Sequence, residues 1–168
     1  MPSSTFENLS PAKKQHVTTA LLNEFSRHTL ADAQVARIVA DAGIARGAFY
    51  KYFADLTDAY KYLYRTAIQD IHVPITRTDH LLSAADYVQQ VQEFVTGING
   101  SPYRDLIRLH FKTNEGLVNR PPVEIKIHSA QEWAVMVLIH ETIKGCLLDP
   151  ANATAALDRL RKALQKLL

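Results

Sequence analysis

Apolar positions along this chain recur three and four residues apart, and no stretch alternates convincingly with the period of two that marks a half-buried strand. The pattern predicts an all-α protein. Its sharpest local arrangement lies at 35–53. Val35, Ile38 and Val39 share one face of a short helix, Gly43 sits where a left-handed residue ends it, and Ile44 plugs the angle that follows. Beyond the turn, Phe49 and Phe53 are four apart and point inward, whereas Arg46 and Tyr50 are four apart on a different face. Two short helices joined by a tight turn make a helix-turn-helix whose second helix has an anchored side and an outward side.

The same periodicity marks out the other elements. Ser10-Pro11 is a helix start, with serine as cap and proline at the first helical position, and the helix is expected to run to about Arg27. Asp32 is expected to cap the first motif helix. Asp55 and Asp58 resemble a capping pair for a fourth helix carrying Tyr60, Leu63, Tyr64, Ala67 and Ile71, which Pro74 would stop. Further helices are expected at 83–96, from Ser101-Pro102 to Gly116, at 123–147 after Pro121-Pro122, and after Asn152. The stretch 123–147 is apolar on more than one side, which suggests burial against two partners. In the last helix Leu157, Leu160, Leu164 and Leu167 form a stripe that must be covered, either by the chain's own core or by a dimer seam shared with the preceding long helix.

Composition narrows the classes. At 168 residues the chain is long enough to bury a core without staples, and its single cysteine, Cys146, excludes an intrachain disulfide. No run approaches about 18 uncharged apolar residues, so no membrane partner is expected and the reading is a cytoplasmic protein. The net charge of +2 is unevenly placed: residues 1–65 hold eight Lys/Arg against six Asp/Glu, and the remainder holds eleven of each. That bias favours a polyanion at the N-terminal end but is small.

The residues around the helix-turn-helix resemble the DNA-binding signature of the tetracycline-repressor-like (TetR/AcrR) family. The likeness begins in the helix 13–27 with Val17, Ala20, Leu21 and Phe25. It continues through Leu30, Val35, Ile38, Ala42-Gly43-Ile44, Arg46-Gly47, Phe49-Tyr50 and Phe53, and fades near Tyr60. The resemblance implies a three-helix DNA-binding domain at 1–56, and a linking fourth helix with a helical ligand-binding and dimerisation domain at 57–168. It also implies a homodimeric repressor of an inverted-repeat operator on double-stranded DNA, released by a small-molecule effector. Carried onto this chain, the DNA-contacting residues are Gln34, Arg46, Gly47, Tyr50, Lys51 and Tyr52. An arginine bridges guanine acceptors or a phosphate, tyrosine hydroxyls meet phosphates, and a glycine admits close backbone approach. The family's dimers also favour an intermolecular share for Leu157, Leu160, Leu164 and Leu167.

Three positions depart from the family pattern. Ala45 stands where a serine or threonine precedes Arg46, Ala33-Gln34 replaces a threonine-rich entrance to the first motif helix, and Leu56 stands in place of a lysine. Lys14 and Lys61 are candidate substitutes. The lost polar groups motivate an alternative in a different class, a protein-interaction module on the same fold with weak or secondary DNA binding. For the second domain, Tyr60, Tyr64, Tyr87, Phe94, Tyr103, His110, Phe111, Trp133, Met136 and His140 either line a pocket for a small apolar or aromatic effector or fill an ordinary core. Metal and catalytic readings fail on geometry. His128, His140 and Cys146 are too widely spaced for a compact site, Glu24 is expected at a solvent edge, and there is no phosphate loop or nucleophile elbow. No cofactor and no enzymatic activity are expected.

Overall fold

In the computed structural model, which describes residues 2–71, 81–118 and 129–168, every regular element is helical. The chain divides into two compact units, Met1–Asp70 with Tyr103–Asn119 and Ile71–Pro102 with Arg120–Leu168.

In the first unit a short α1 (Ser4–Glu7) precedes α2 (Pro11–Phe25), α3 (Val35–Ala42), α4 (Arg46–Tyr52) and α5 (Leu56–Asp70). Helix α2 starts after Ser10 with proline in its first turn, as expected, but the Ser10 side chain makes no cap hydrogen bond, and the helix ends at Phe25. Asp32 does not cap α3. Gln34 is the cap residue, while the Asp32 carboxylate accepts a bond from the Thr29 hydroxyl at 2.6 Å and so closes a local turn. At the start of α5 the expected aspartate pair is present: Asp55 accepts from the Asp58 amide at 2.7 Å, and Asp58 reaches back to the Ala54 amide at 3.2 Å. The core of the unit is made by Val17, Leu21, Phe25, Ile38, Phe49, Phe53, Tyr60 and Leu63, all buried.

The segment from Ser101-Pro102 begins its helix later than expected. Helix α7 (Arg104–Leu109) has Tyr103 at its cap and runs into a π-helical turn, His110–Asn114, closed by the Glu115 amide on the His110 carbonyl at 2.8 Å. The wider turn leaves His110, Phe111 and Asn114 all buried.

The second unit packs α6 (Ala84–Asn99), α8 (Ala130–Leu148) and α9 (Ala153–Leu167) against one another. Ser83 and Ser129 cap α6 and α8 through their hydroxyls. Asn152 stands before α9 but its amide turns to Asp149, at 2.6 Å, instead of capping the helix. The expected stop at Pro74 and the stretch 123–128 lie outside the described residues.

Candidate nucleic-acid interface

Between α3 and α4, Gly43 adopts φ 64°, ψ 34°, the left-handed conformation that a residue with a Cβ enters only at a cost. Its amide and that of Ile44 close the helix end on the carbonyls of Ala40 and Val39. Ala45, Arg46 and Gly47 are exposed, and α4 begins with no side-chain cap, as a missing hydroxyl at Ala45 dictates.

Helix α4 is anchored by one residue of its own span, Phe49, which is fully buried and packs with Phe53 at a centroid distance of 5.6 Å. At 100° per residue, Arg46, Tyr50, Gly47 and Lys51 fall within an arc of about 140° away from Phe49. All four are exposed, and Tyr50 keeps half its surface in solvent. A Cβ added at Gly47 meets no atom within 4 Å, so packing inside the chain does not require glycine there. Tyr52 is half-buried, its ring 5.7 Å from Phe6.

Gln34 is exposed at the entrance to α3, and its backbone amide donates to the Glu24 carboxylate at 2.7 Å. Glu24 is not at a solvent edge. It is buried and accepts from Arg37 through Nη2 at 2.6 Å and Nε at 2.9 Å, a forked pair that ties α2 to α3. Burial alone would raise its pKa; the Arg37 guanidinium and the Gln34 amide outweigh that and hold the carboxyl below its ordinary value. Ala33 is also buried, so its departure from the family pattern fills core and does not strip a polar group from the surface. Lys14 is paired with Glu7 at 3.4 Å, and Lys61 is half-buried.

Of the ten residues expected around an effector space, Tyr60, Tyr64, Tyr103, His110 and Phe111 belong to the first unit and Tyr87, Phe94, Trp133, Met136 and His140 to the second. In the first unit Tyr60, Tyr64, His110 and Phe111 make a closely packed ring cluster, with Tyr64 stacked on His110 at 4.1 Å and the Tyr60 hydroxyl 3.0 Å from His110 Nδ1. Burial pushes the Tyr60 phenol up, and it stays neutral. Tyr103 donates to Asp70 at 2.6 Å, and burial together with that carboxylate raises its pKa to about 12. In the second unit Tyr87 is buried and accepts from the Leu82 amide at 3.3 Å, Phe94 and Met136 are half-buried, and His140 lies 3.4 Å from Glu141.

Trp133 belongs to a different feature. It is 54% exposed and lines, with Ala134, Val137, Leu138, Ala163, Lys166 and Leu167, an open groove of about 430 Å³ along α8 and α9. Leu160 and Leu164 are buried inside their own unit, so they are core residues; Leu157 is half-buried, and Leu167 alone of the four lines the groove. The apolar surface of the groove is therefore carried by Trp133, Val137 and Leu167 and not by Leu160 or Leu164.

Among the described residues no helix is long and apolar enough to cross a membrane, and no three His, Cys, Asp or Glu side chains gather as a metal site. This all-helical chain, with a helix-turn-helix near its N-terminus, is similar to a TetR family transcriptional regulator from Chloroflexus aurantiacus J-10-FL. The TM-score is 0.54 and the identity 19%, over 99% of this chain and 96% of that one. A TetR transcriptional regulator from Rhodococcus sp. RHA1 aligns at TM-score 0.46 and 16% identity, covering 93% of this chain and 94% of that one. The fatty acid degradation regulator FadR from Bacillus halodurans aligns at 0.43 and 14%, covering 90% and 97%. No protein-family model and no curated protein matches the sequence. The fold is TetR-like.

Proposed function

We propose that this protein is a transcriptional regulator that binds duplex DNA through the outward face of α4, acting as a homodimeric repressor on an inverted repeat. The observation that carries the reading is the division of α4 into a buried anchor, Phe49, and an exposed face holding Arg46, Gly47, Tyr50 and Lys51. An arginine near the start of such a helix suits bidentate donation to a guanine, and the tyrosine and lysine suit the phosphates on either side. Gly47 adds a second argument. Glycine within a helix costs about 0.5–1 kcal/mol relative to alanine, and here no intramolecular contact demands it. Close approach of the backbone to an external surface supplies a reason to keep it.

A homodimer suits this reading because two-fold symmetry supplies two α4 helices for two half-sites. The open apolar groove on α8 and α9, with Trp133 and Val137 exposed, is the surface we assign to the partner copy.

The test is selection of duplexes from a random pool, followed by a salt titration on the winner. A regulator enriches a symmetric site and loses affinity steeply as salt rises. Arg46→Ala should weaken binding to that site by about 1–3 kcal/mol while helicity and oligomeric state stay as in the parent. Equal affinity of parent and variant for the selected duplex rejects Arg46 as a base contact. No enrichment by the parent rejects the regulator in favour of the interaction module.

A further inference from the structure

We infer that residues 3–7 form a brace that positions α4, with Ser3 and Phe6 as positioning residues for the DNA contact; the inference rests on the function proposed above. Helix α4 has seven residues, far fewer than an isolated helix needs to persist in water. Its last carbonyls have no partner within the helix. Phe49 accepts from the Phe53 amide at 2.9 Å, but Phe53 is extended at φ −132°, ψ 139°, so the chain leaves without a glycine cap.

Ser3 serves the last two carbonyls of the helix, those of Lys51 and Tyr52, from 48 and 49 residues away. Its hydroxyl donates to the Lys51 carbonyl and its amide to the Tyr52 carbonyl at 2.9 Å. The same hydroxyl oxygen accepts from the Phe6 amide at 3.3 Å and so caps α1. Phe6 has no exposed surface. Its ring lies 4.9 Å from Phe53 and 4.9 Å from Tyr62 on α5, with Tyr52 at 5.7 Å. The C-terminal end of the reading helix is thus held at its carbonyls by Ser3 and at its apolar side by Phe6.

Two kinds of DNA contact depend differently on such a brace. Phosphate attraction is long-ranged and tolerates small shifts of Lys51, whereas a base contact from Arg46 needs the helix at a fixed depth and angle. The brace therefore supports discrimination between sequences more than overall affinity.

The test uses the full chain and three variants, Ser3→Ala, Ser3→Thr and Phe6→Leu. Hydrogen exchange at residues 50–53 and the melting temperature are measured on the free protein, and affinities for the selected and a scrambled duplex are measured at one salt concentration. Loss of one hydroxyl donor in Ser3→Ala should quicken exchange in the last turn of α4 roughly two- to tenfold, with the melting temperature nearly unchanged. Its preference for the selected over the scrambled duplex should fall several-fold while scrambled affinity holds. Ser3→Thr, which keeps the hydroxyl, should restore both, and Phe6→Leu should shift both in the direction of Ser3→Ala. Unchanged α4 exchange in Ser3→Ala and Phe6→Leu overturns the brace whether or not any duplex is selected. Faster exchange with unchanged preference overturns the positioning role. A parent that selects no duplex overturns the DNA reading and the positioning role with it, and the exchange data still report whether Ser3 and Phe6 order α4.

Discussion

Replacing Glu24 tests whether a single buried carboxylate holds the first motif helix in place. Glu24 is 5% exposed; its Oε1 accepts from the Gln34 amide and from Arg37 Nη2, and its Oε2 accepts from Arg37 Nε. Glu24→Ala leaves the Gln34 N–H, the last amide before α3, without its acceptor, which costs about 1–3 kcal/mol. Arg37 also loses its partner, but it is 38% exposed and hydrates, and it keeps its bond to the Asp32 carbonyl at 2.8 Å. The total should therefore lie below the value of about 3–5 kcal/mol for breaking a fully buried pair, at roughly 2–4 kcal/mol. For a chain of this size that is about 5–15 °C in melting temperature. Glu24→Gln keeps an oxygen for the Gln34 amide and should cost about half as much. Denaturant unfolding of Glu24→Ala, Arg37→Ala and the double variant gives the coupling directly, expected at roughly 1–3 kcal/mol. The pH dependence has a fixed sign. A carboxyl held below its ordinary value in the folded state contributes stability above the unfolded pKa, and that stability is lost as pH falls through the folded pKa. The parent should accordingly lose stability on acidification below about pH 4.3 more steeply than Glu24→Gln. A Glu24→Ala variant within about 0.5 kcal/mol of the parent, or a coupling near zero, refutes the tie between α2 and α3.

Gly47→Ala should raise stability by about 0.5–1 kcal/mol, because the added methyl enters open space, and should weaken the selected duplex; a variant that is more stable and binds as tightly removes the case for close backbone approach there. Trp133→Glu with Val137→Glu should convert a dimer to a monomer with helicity retained, read by light scattering after size separation. Leu160→Glu with Leu164→Glu should instead unfold the second unit, because both side chains are buried within it and an unpaired carboxylate there has no water. A dimer that survives the first pair of changes excludes the α8 and α9 groove as the interface.

The helix-turn-helix was legible because its determinants are local. A glycine at the only position of positive φ among the described glycines, two phenylalanines at one spacing and an arginine and tyrosine at another define both the turn and the two faces of α4. Asp32 misled because two acceptors compete near α3. Thr29 engages the Asp32 carboxylate, and Glu24 takes the Gln34 amide from a neighbouring helix, a bond that spans ten residues and leaves no mark in the α3 sequence. A usable signal for Glu24 did exist: it continues the series Val17 and Leu21 on the apolar face of α2, where a charge must find a buried partner. Phe6 carried no periodicity in a polar leader, and only the fold brings it to Phe53 and Tyr62. The spacing of the leucine stripe in α9 predicts a surface needing cover but not which chain covers it; Leu160 and Leu164 are covered within their own unit. Trp133 and Val137 lie on a helix apolar on several sides, where the pattern leaves the outward face undefined.

The ties that hold the motif come from outside it. Ser3 bonds the end of α4, Glu24 the start of α3, and Asn114 in the π-helical turn accepts from the Leu30 amide, at 3.0 Å, in the loop before α3. Helices of eight and seven residues have little stability of their own, so their angle is set by these bonds and by Ile38, Phe49 and Phe53 beneath them. The side chains that would touch a duplex are exposed and bear little of that load. Under the proposed function such an arrangement would separate recognition from folding: Arg46, Tyr50 and Lys51 are exposed and can be exchanged without disturbing the core, whereas a change at Glu24 or Phe6 alters how α3 and α4 are held while leaving every residue of the exposed face of α4 in place. Variants of the first kind should change which duplex is preferred, and variants of the second kind should reduce preference for any.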